Sequence, residues 1–358
     1  MDKKEISVFD GDIVVSKIYI ESSLAMLPEC LGVAGSVFLI YDRNVHSIAE
    51  EIKSIVNVDS EMALDVSEEN KTMDTVAGIC SWLLASGADR KSVLLALGGG
   101  ILTDIAGFAA AVYKRGIRVA YLPTTLLSQV DASIGGKTGV NLESYKNMIG
   151  VIRQPEFTYI CPAALISLSE RDFRSGVSEM LKTFIIGDKV FYQRAVDFFS
   201  SRCKVGKEDL DELAALIYVA AKIKAEVVSG DQFECGLRRK LNLGHTFAHA
   251  IEWCVHSDNG LQSFSFSHGQ AVAVGMVFAA RLSEALGVAA GGLADKIERD
   301  LSCCGLPVSS PFSVAVLSDA MEKDKKAENN MIHFVLIHNI GDVVVKDLSL
   351  SEVVRILD

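Results

Sequence analysis

A short apolar segment that runs directly into three glycines constrains the fold of this chain more than any other feature. Residues 92–97 are almost entirely apolar, and Gly98, Gly99 and Gly100 follow them. This pattern predicts a buried strand, a tight turn and a helix whose first N–H groups lack partners. Such donors favour an anion, so a dinucleotide is one candidate ligand. A tight turn without a ligand explains the glycines equally well. Asp104 is explained equally well as a carboxylate that stabilises the start of the helix.

The first half of the chain alternates short β-branched segments with helical ones. Strands are predicted over residues 36–40, 92–97 and 118–122, and helices over 45–55 and 104–113. Alternation of this kind is typical of a parallel sheet whose strands are joined by crossover helices.

After about Pro162 the pattern changes to long amphipathic helices. Apolar residues recur at helical spacing over residues 208–228, 243–254 and 269–286. A late apolar segment, 331–337, suits a strand. We therefore expect an α/β, Rossmann-like nucleotide-binding domain over residues 1–161 and a mainly α-helical domain over 162–358.

The charge of the chain excludes some classes of partner. It carries 35 Lys and Arg against 46 Asp and Glu, a net charge of −11 over 358 residues. A surface this acidic argues against broad binding to nucleic acid or to anionic membranes. Since the chain also lacks an apolar run of about 18 residues and an N-terminal apolar signal segment, a cytoplasmic location is expected.

One carboxylate and three histidines are candidates for a metal site. Glu179, His245 and His268 together have the composition of a catalytic zinc site with one open position. His249 follows His245 by four residues, so both imidazoles lie on one helix face. They could share a metal or divide into a ligand and an acid–base group. Lys182 is expected on the same helix face as Glu179. For each histidine alone, a hydrogen-bonded place in the core is the simpler explanation.

Basic residues are grouped in segments that suit phosphate or carboxylate. We expect residues 131–139 to form a glycine-rich loop that presents Lys137, with Lys146 and Asn147 shortly beyond it. Further basic residues are Lys224, Arg238, Arg239, Lys240, Lys323, Lys325 and Lys326. Any one of these lysines alone is adequately explained as a solvated surface charge.

Six segments, in this order, resemble the 3-dehydroquinate synthase family within the sugar phosphate cyclases. They are LALGGGILTDIAGFAAA, KRGIRVAYLPTTLLSQVDASIGGKTGVN, KNMIG, SGVSEMLKTFII, LNLGHTFAHAIE and SHGQAVAVGM. The resemblance implies a homodimeric lyase of the shikimate pathway that uses NAD and a divalent metal, zinc or cobalt. Its substrate would be 3-deoxy-D-arabino-heptulosonate 7-phosphate, and its products 3-dehydroquinate and phosphate.

The resemblance also implies a set of site residues. Metal ligands would be Glu179, His245 and His268. Contacts to NAD would come from Glu68, Lys71, Gly98, Gly99, Gly100, Ile101, Leu102, Thr103, Asp104, Thr124, Thr125, Lys137, Lys146 and Ser167. Substrate contacts would come from Arg115 of a neighbouring subunit and from Asp131, Lys137, Asn147, Lys182, Lys224, Arg238, Asn242 and His249. Of these, the catalytic residues would be His249, Lys137, Lys182, Arg238 and Asn242.

Two departures from the family pattern bear on the metal site. An insertion around residues 257–266 separates His245 from His268 and predicts a bulged loop. Gln270 stands where the family usually carries glutamate, which predicts that one charge near the metal is missing.

Three other functions fit parts of the sequence. Another sugar phosphate cyclase would share the cofactors, although Arg238 and Asn242 suit a substrate that bears a carboxylate. A metal-dependent alcohol or glycerol dehydrogenase would release NADH, and the lysine-rich substrate set argues against it. A catalytically silent paralogue would have lost a ligand or His249, and the sequence retains them all.

Overall fold

The computed structural model describes residues 4–32, 35–143, 145–257, 266–324 and 331–357. The strands are β1 (Lys4–Asp10), β2 (Ile13–Ile20), β3 (Val37–Asp42), β4 (Ser60–Leu64), β5 (Val93–Gly98), β6 (Arg118–Pro123), β7 (Lys137–Leu142), β8 (Tyr145–Ile152), β9 (Phe157–Ile160), β10 (Met331–Asn339) and β11 (Asp342–Ser349). The α-helices are α1 (Leu27–Leu31), α2 (His46–Ile55), α3 (Met73–Ala85), α4 (Gly100–Val112), α5 (Glu170–Gly187), α6 (Lys189–Phe199), α7 (Leu210–Gly230), α8 (His245–Ser257), α9 (His268–Ala285), α10 (Leu293–Cys303), α11 (Val314–Asp324) and α12 (Leu350–Leu357).

The chain forms two compact units. The first comprises Met1–Leu168 and Val205–Phe233, and the second comprises Ser169–Lys204 and Glu234–Asp358. The sequence predicted one division after residue 161, whereas the chain returns to the first unit for α7, which packs on β1. The assignment of distinct functional roles to residues 1–161 and 162–358 stays a prediction.

The first unit is built on a seven-stranded sheet in the order β1-β2-β9-β6-β5-β3-β4. Only β1 runs antiparallel to its neighbour, β2. Every residue of β5 is buried, because β3 and β6 flank it and helices cover both faces of the sheet. That position explains the continuous apolar run before the glycines. The predicted α/β class is confirmed.

The strand order reverses between β3 and β5. The chain leaves β3 for the outer strand β4 and then returns to pair β5 with the other side of β3. In open α/β sheets, ligands bind at the carboxyl ends of the strands beside such a reversal. Gly98 ends β5 at this point, and Asp42 ends β3.

Residues 131–139 form a loop only in part, because 133–136 are a turn that is followed by the exposed Lys137, whereas the flanking residues are in regular elements. A π-helical turn covers Ser128–Ala132, and Lys137 begins β7, which pairs antiparallel with β8. Val140 of this hairpin is fully buried and packs in the cluster that α4 contributes to. The glycines and polar residues of the segment had hidden its alternating pattern.

In the second unit, α9 lies against α5, α8, α10 and β10. It is therefore apolar around nearly its whole circumference, as a central helix must be. The late apolar segment forms β10, which pairs with β11 in a two-stranded sheet. Within the described part of the chain, no helix is both long enough and apolar enough to cross a membrane.

Candidate active site

The second unit contains a buried carboxylate whose oxygens lack ordinary partners. Glu179 lies in the middle of α5 with its side chain fully buried. Lys182, one turn later, places its Nζ 2.5 Å from Glu179 Oε2, as the predicted shared helix face requires. Nevertheless, neither carboxylate oxygen accepts a well-formed hydrogen bond from any described residue. A buried carboxylate in this condition is suited to a cation.

Two histidines complete a cluster around Glu179. His245 begins α8 and His268 begins α9, and their Nε2 atoms lie 3.8 and 3.4 Å from Glu179 Oε1. One ligand atom from each of the three residues lies within 4.8 Å of the other two. Ligands held about 2.1 Å from one tetrahedral zinc ion lie roughly 3.4 Å apart. The three side chains therefore fit a divalent metal, as the sequence predicted.

His249 is close to this cluster but has another position. Its ring centroid lies 5.7 Å from that of His245, and the two rings are nearly perpendicular. Among the described residues, the group with metal-ligand spacing contains His245 and not His249. Of the two arrangements that the sequence left open, the structure favours one ligand and one acid–base group.

The other ring nitrogens of the two candidate ligands face acceptors. His245 Nδ1 lies 3.2 Å from the carbonyl oxygen of Leu243, and His268 Nδ1 lies 3.4 Å from Glu252 Oε1. A proton on each Nδ1 would leave each Nε2 lone pair directed toward Glu179. Partners of this kind fix the tautomer and the orientation of metal-bound histidines.

The protonation of the cluster follows from burial and from neighbouring charge. Burial raises the pKa of the Glu179 carboxyl, but the Lys182 ammonium and His268 oppose it, so the net pKa is well below the ordinary value. Burial also lowers the pKa of His245, and the Lys182 charge adds to that effect. For His268, burial lowers the pKa, but Glu179 and Glu252 outweigh it and raise it to about 10.

Glycines bring the three helices close together. A Cβ on Gly269 would fall on the backbone of Ser175 in α5, whose Oγ accepts a hydrogen bond of 3.0 Å from Gly269 N. A Cβ on Gly275 would fall on the carbonyl oxygen of Gly244, the residue before His245. Close backbone approach is a common use of glycine. These contacts position the elements that carry Glu179, His245 and His268.

A basic segment lies beside α5 in the same unit. The 3₁₀ helix Leu237–Asn242 packs against α5 and carries two predicted substrate residues. Arg238 is 3% exposed, and Asn242 Nδ2 donates to Glu234 Oε1 at 2.5 Å. A buried guanidinium and a partly buried amide suit a carboxylate or phosphate.

The first unit brings several predicted nucleotide residues together. Lys71, only 4% exposed, places its Nζ 2.6 Å from Asp104 Oδ2 and 2.5 Å from Asn147 Oδ1. Glu68 accepts a hydrogen bond of 2.8 Å from Asn141. Burial raises the pKa of Asp104, although the Lys71 charge opposes it. Asn147, predicted at the substrate, therefore lies within the predicted nucleotide cluster.

The turn after β5 leaves a helix N-terminus available. Gly99 is the N-cap of α4 and offers no side chain to cap the N–H groups of Gly100, Ile101 and Leu102, whereas Thr103 N donates to Gly99 O at 3.1 Å. Thr124 and Thr125 follow β6, and Thr124 N donates to Gly98 O at 2.9 Å. The N-terminus of α4 suits a phosphate group. A separate cavity of about 170 Å³ is lined by Thr124, Leu97 and Tyr159, among others, and none of its lining residues belongs to α4.

The remaining predicted residues are dispersed. Lys224 Nζ donates to the backbone oxygen of Asp131 at 2.6 Å and pairs with its carboxylate. Lys137 and Lys146 are exposed on the β7–β8 hairpin. Arg115 is exposed on a left-handed backbone with φ +66°, and Ser167 ends the 3₁₀ helix Pro162–Ser167.

Two departures from the family pattern have different outcomes. Gln270 forms a capping box, in which its Oε1 accepts from Ser267 N at 2.8 Å. A glutamine performs this role as well as a glutamate. Most of the insertion, 258–265, lies outside the described residues, as do Lys325, Lys326 and the side chain of Lys323.

Two residues near these sites were not predicted. Asp42 ends β3 at the strand reversal, and a Cβ added to Gly98 would lie 3.4 Å from the Cβ of Asp42. Glu252 contacts His268. The available signals were an acidic residue at the end of a strand, and a glutamate seven residues after His245 on one helix face.

Comparisons with known proteins agree with the geometry. Residues 61–175 match the family model for the 3-dehydroquinate synthase N-terminal domain, and 176–327 match the C-terminal one. The 3-dehydroquinate synthase of Acidithiobacillus ferrooxidans is 40% identical over 317 residues, which cover 87% of this chain and 85% of that protein. That of Campylobacter concisus is 39% identical over 335 residues, 92% of each chain.

A solved structure extends the similarity to the fold. The 2-epi-5-epi-valiolone synthase of Streptomyces hygroscopicus, with NAD+ and Zn2+ bound, is 26% identical, with a TM-score of 0.84 over 97% of this chain and 96% of that one. Since the family models and the curated relatives extend over both units, the chain belongs to the 3-dehydroquinate synthase family.

Proposed function

We propose that this chain is a lyase of the shikimate pathway that converts 3-deoxy-D-arabino-heptulosonate 7-phosphate into 3-dehydroquinate and phosphate. The conversion would proceed by transient oxidation at C5, β-elimination of phosphate, reduction and an intramolecular aldol closure. The observation that carries the proposal is the cluster of Glu179, His245 and His268, whose ligand atoms lie within 4.8 Å of one another around the fully buried Glu179 carboxylate. Membership of the 3-dehydroquinate synthase family supports it.

The proposal includes two cofactors. NAD would bind along the strand ends of the first unit, and a divalent metal, Zn2+ or Co2+, would bind Glu179, His245 and His268. The Streptomyces relative was solved with NAD+ and Zn2+. When bound, NAD would supply reversible hydride transfer at C5, and a metal held by Glu179, His245 and His268 would supply a Lewis acid that favours ionisation of the C5 hydroxyl.

The side chains around the metal cluster would orient the substrate and move protons. His249, next to His245 but outside the ligand group, is suited to transfer a proton to or from the substrate. Lys182 and Arg238 are buried cations and would stabilise the negative charge of the substrate, with Asn242 as a neutral donor. Burial strengthens each of these interactions because water does not screen it.

Residues of the first unit would hold the nucleotide and part of the substrate. Lys71 and Asp104 form a buried pair beside the uncapped helix that follows Gly99. Such a site combines a fixed charge pair with free backbone donors, which suits a pyrophosphate and its ribose. Asp131, Lys137, Lys224 and Asn147 remain our candidates for substrate contacts in this unit.

The alternatives differ in what they release. Another sugar phosphate cyclase would not process this substrate, and 40% identity to 3-dehydroquinate synthases argues for the substrate proposed. A silent paralogue would not release phosphate at all. The homodimer, with Arg115 serving the neighbouring subunit, and the cytoplasmic location stay predictions.

The test measures phosphate and NADH together. Metal-loaded protein with catalytic NAD should release phosphate from 3-deoxy-D-arabino-heptulosonate 7-phosphate without accumulating NADH. His245→Ala should abolish the release, whereas His338→Ala, which changes an exposed histidine of the same unit, should not. Accumulation of NADH would indicate a dehydrogenase, and an absence of phosphate would contradict the proposal.

A further inference from the structure

The carboxylate of Glu252 lies behind one of the two candidate metal histidines. Its Oε1 is 3.4 Å from His268 Nδ1, on the side of the ring opposite the Nε2 that faces Glu179. The Glu252 side chain is only 12% exposed. The His268 side chain is 36% exposed, so the pair is partly sheltered from water and is screened less than a fully exposed ion pair would be.

The contact depends on the geometry of two helices. His245, His249 and Glu252 are spaced by four and then three residues, so α8 presents all three on one face. His268 is the first residue of α9, and the capping box of Ser267 and Gln270 fixes the backbone there. Helix α8 therefore carries one candidate ligand and the partner of the other.

The two candidate histidine ligands have unequal partners. His245 Nδ1 faces a neutral backbone carbonyl, whereas His268 Nδ1 faces a carboxylate. A carboxylate partner makes an imidazole a stronger donor to a metal than a carbonyl does. It also adds a negative charge near the cluster, where Glu179 is accompanied by the positive charge of Lys182.

We propose that Glu252 is a positioning residue that holds His268 as the stronger imidazole donor of the metal site. This inference rests on the proposed metal site.

The test compares metal affinities in the full chain. Metal-stripped protein would be titrated with Zn2+ in competition with a chromophoric chelator. Glu252→Gln keeps an oxygen acceptor but removes the charge, and it should weaken binding by about 10- to 100-fold. Glu226→Gln, which removes an equal charge from an exposed position on α7, should leave affinity unchanged. Equal affinity of Glu252→Gln and wild type would overturn the inference.

A spectroscopic measurement separates positioning from ligation. Co2+ bound to Glu252→Gln should retain the intensity of its visible bands, because the three ligands remain. A large change of intensity would make Glu252 itself a ligand and would overturn the positioning role. If wild-type protein binds no metal, the proposed function falls as well, and the two failures are thereby distinguished.

A matched pair at the same position guards against misfolding. If Glu252→Gln does not fold, Glu252→Asp and Glu252→Asn repeat the comparison on a shorter side chain, and the charged variant should bind Zn2+ more tightly. If only the charged variant folds without metal, the carboxylate is required by the fold, and the inference is overturned.

Discussion

Replacing Gly275 with alanine should weaken the metal site without changing any ligand. Gly275 lies in the interior of α9, and the carbonyl oxygen of Gly244 occupies the space where its Cβ would stand. Gly244 has φ +78° and directly precedes His245. Any movement that relieves the new contact therefore shifts the start of α8 relative to His268 at the start of α9.

The structure sets the size of the effect. The new Cβ would fall far inside contact distance of the carbonyl oxygen of Gly244, its nearest neighbour, and would lie 2.8 Å from the carbonyl carbon. Carbon atoms in contact are usually about 3.5 Å apart, so the carbon contact alone requires a separation of roughly 0.7 Å, and the overlap with the oxygen requires more. Overpacking of this kind costs about 1–3 kcal/mol, and the better helix propensity of alanine returns about 1 kcal/mol. Because the overlap is with backbone atoms, we take the upper end of that cost and expect a net loss of stability of roughly 2 kcal/mol.

Metal binding should weaken as well. Functional constellations tolerate displacements of about 0.5 Å, which is less than the expected movement. Zn2+ affinity should therefore fall by roughly ten-fold or more.

Each unit contains one of the two tryptophans of the chain, so tryptophan fluorescence can follow the unfolding of each unit separately. Trp82 lies in α3 and Trp253 in α8. In a Trp82→Phe background, fluorescence during urea unfolding reports on the second unit alone. The matched control is Gly78→Ala in α3, where a Cβ meets no atom within 4 Å. In a Trp253→Phe background, where only Trp82 fluoresces, Gly78→Ala should stabilise the first unit by about 1 kcal/mol.

The reasoning would be refuted if Gly275→Ala matched the wild type in both urea midpoint and Zn2+ affinity. The close approach of α9 to Gly244 would then contribute nothing to the geometry of the cluster. Reduced affinity in Gly78→Ala would also count against it, because that variant leaves the second unit unchanged.

Two further predictions concern charge. Because the pKa of metal-free His268 is raised to about 10, a metal on Nε2 must displace a proton, so apparent affinity should rise about ten-fold per pH unit up to roughly pH 10 and then level off. The same raised pKa stabilises the metal-free protein fully below about pH 6.5, and that contribution is lost as the pH rises through about 10. Calorimetry in buffers of different ionisation enthalpy would measure the released proton, and pH-independent affinity between about pH 7 and 9 would contradict the prediction. Lys71→Met should lower the unfolding free energy by about 3 kcal/mol and weaken NAD binding, because Asp104 loses its buried partner. Adding Asp104→Asn should restore most of the stability, and a double variant no more stable than the single one would contradict this explanation.

Local pattern was sufficient where neighbouring residues determine the structure. β5, the glycine turn and α4 were predictable because a strand buried on both faces is apolar throughout, and because the connection between two parallel strands is usually a helix. His245 and His249 share a helix face because their spacing is one helical turn. The β7–β8 hairpin was missed because Gly139 and Gly150 interrupt its pattern.

Features that depend on long-range pairing were not predictable from pattern alone. Asp42 becomes significant only once β3 and β5 are known to be neighbours, and the sequence does not state the strand order. Glu252 meets His268 only because α8 and α9 pack together across a long insertion. Bringing Glu179 together with the two histidines was expected from the family resemblance, since no local spacing joins α5 to α8.

The path of the chain between the two units has a consequence for synthesis on the ribosome. Residues 205–233 belong to the first unit, although Glu170–Phe199 of the second unit precede them. The first unit cannot be completed until α7 has emerged from the ribosome. Helices α5 and α6 are therefore translated before the rest of the second unit, residues 234–358, against which they pack. A fragment cut after residue 168 would leave β1 without the helix that packs on it. Dissection into separately expressed halves should therefore yield aggregation-prone pieces, and co-expression of both pieces should rescue them.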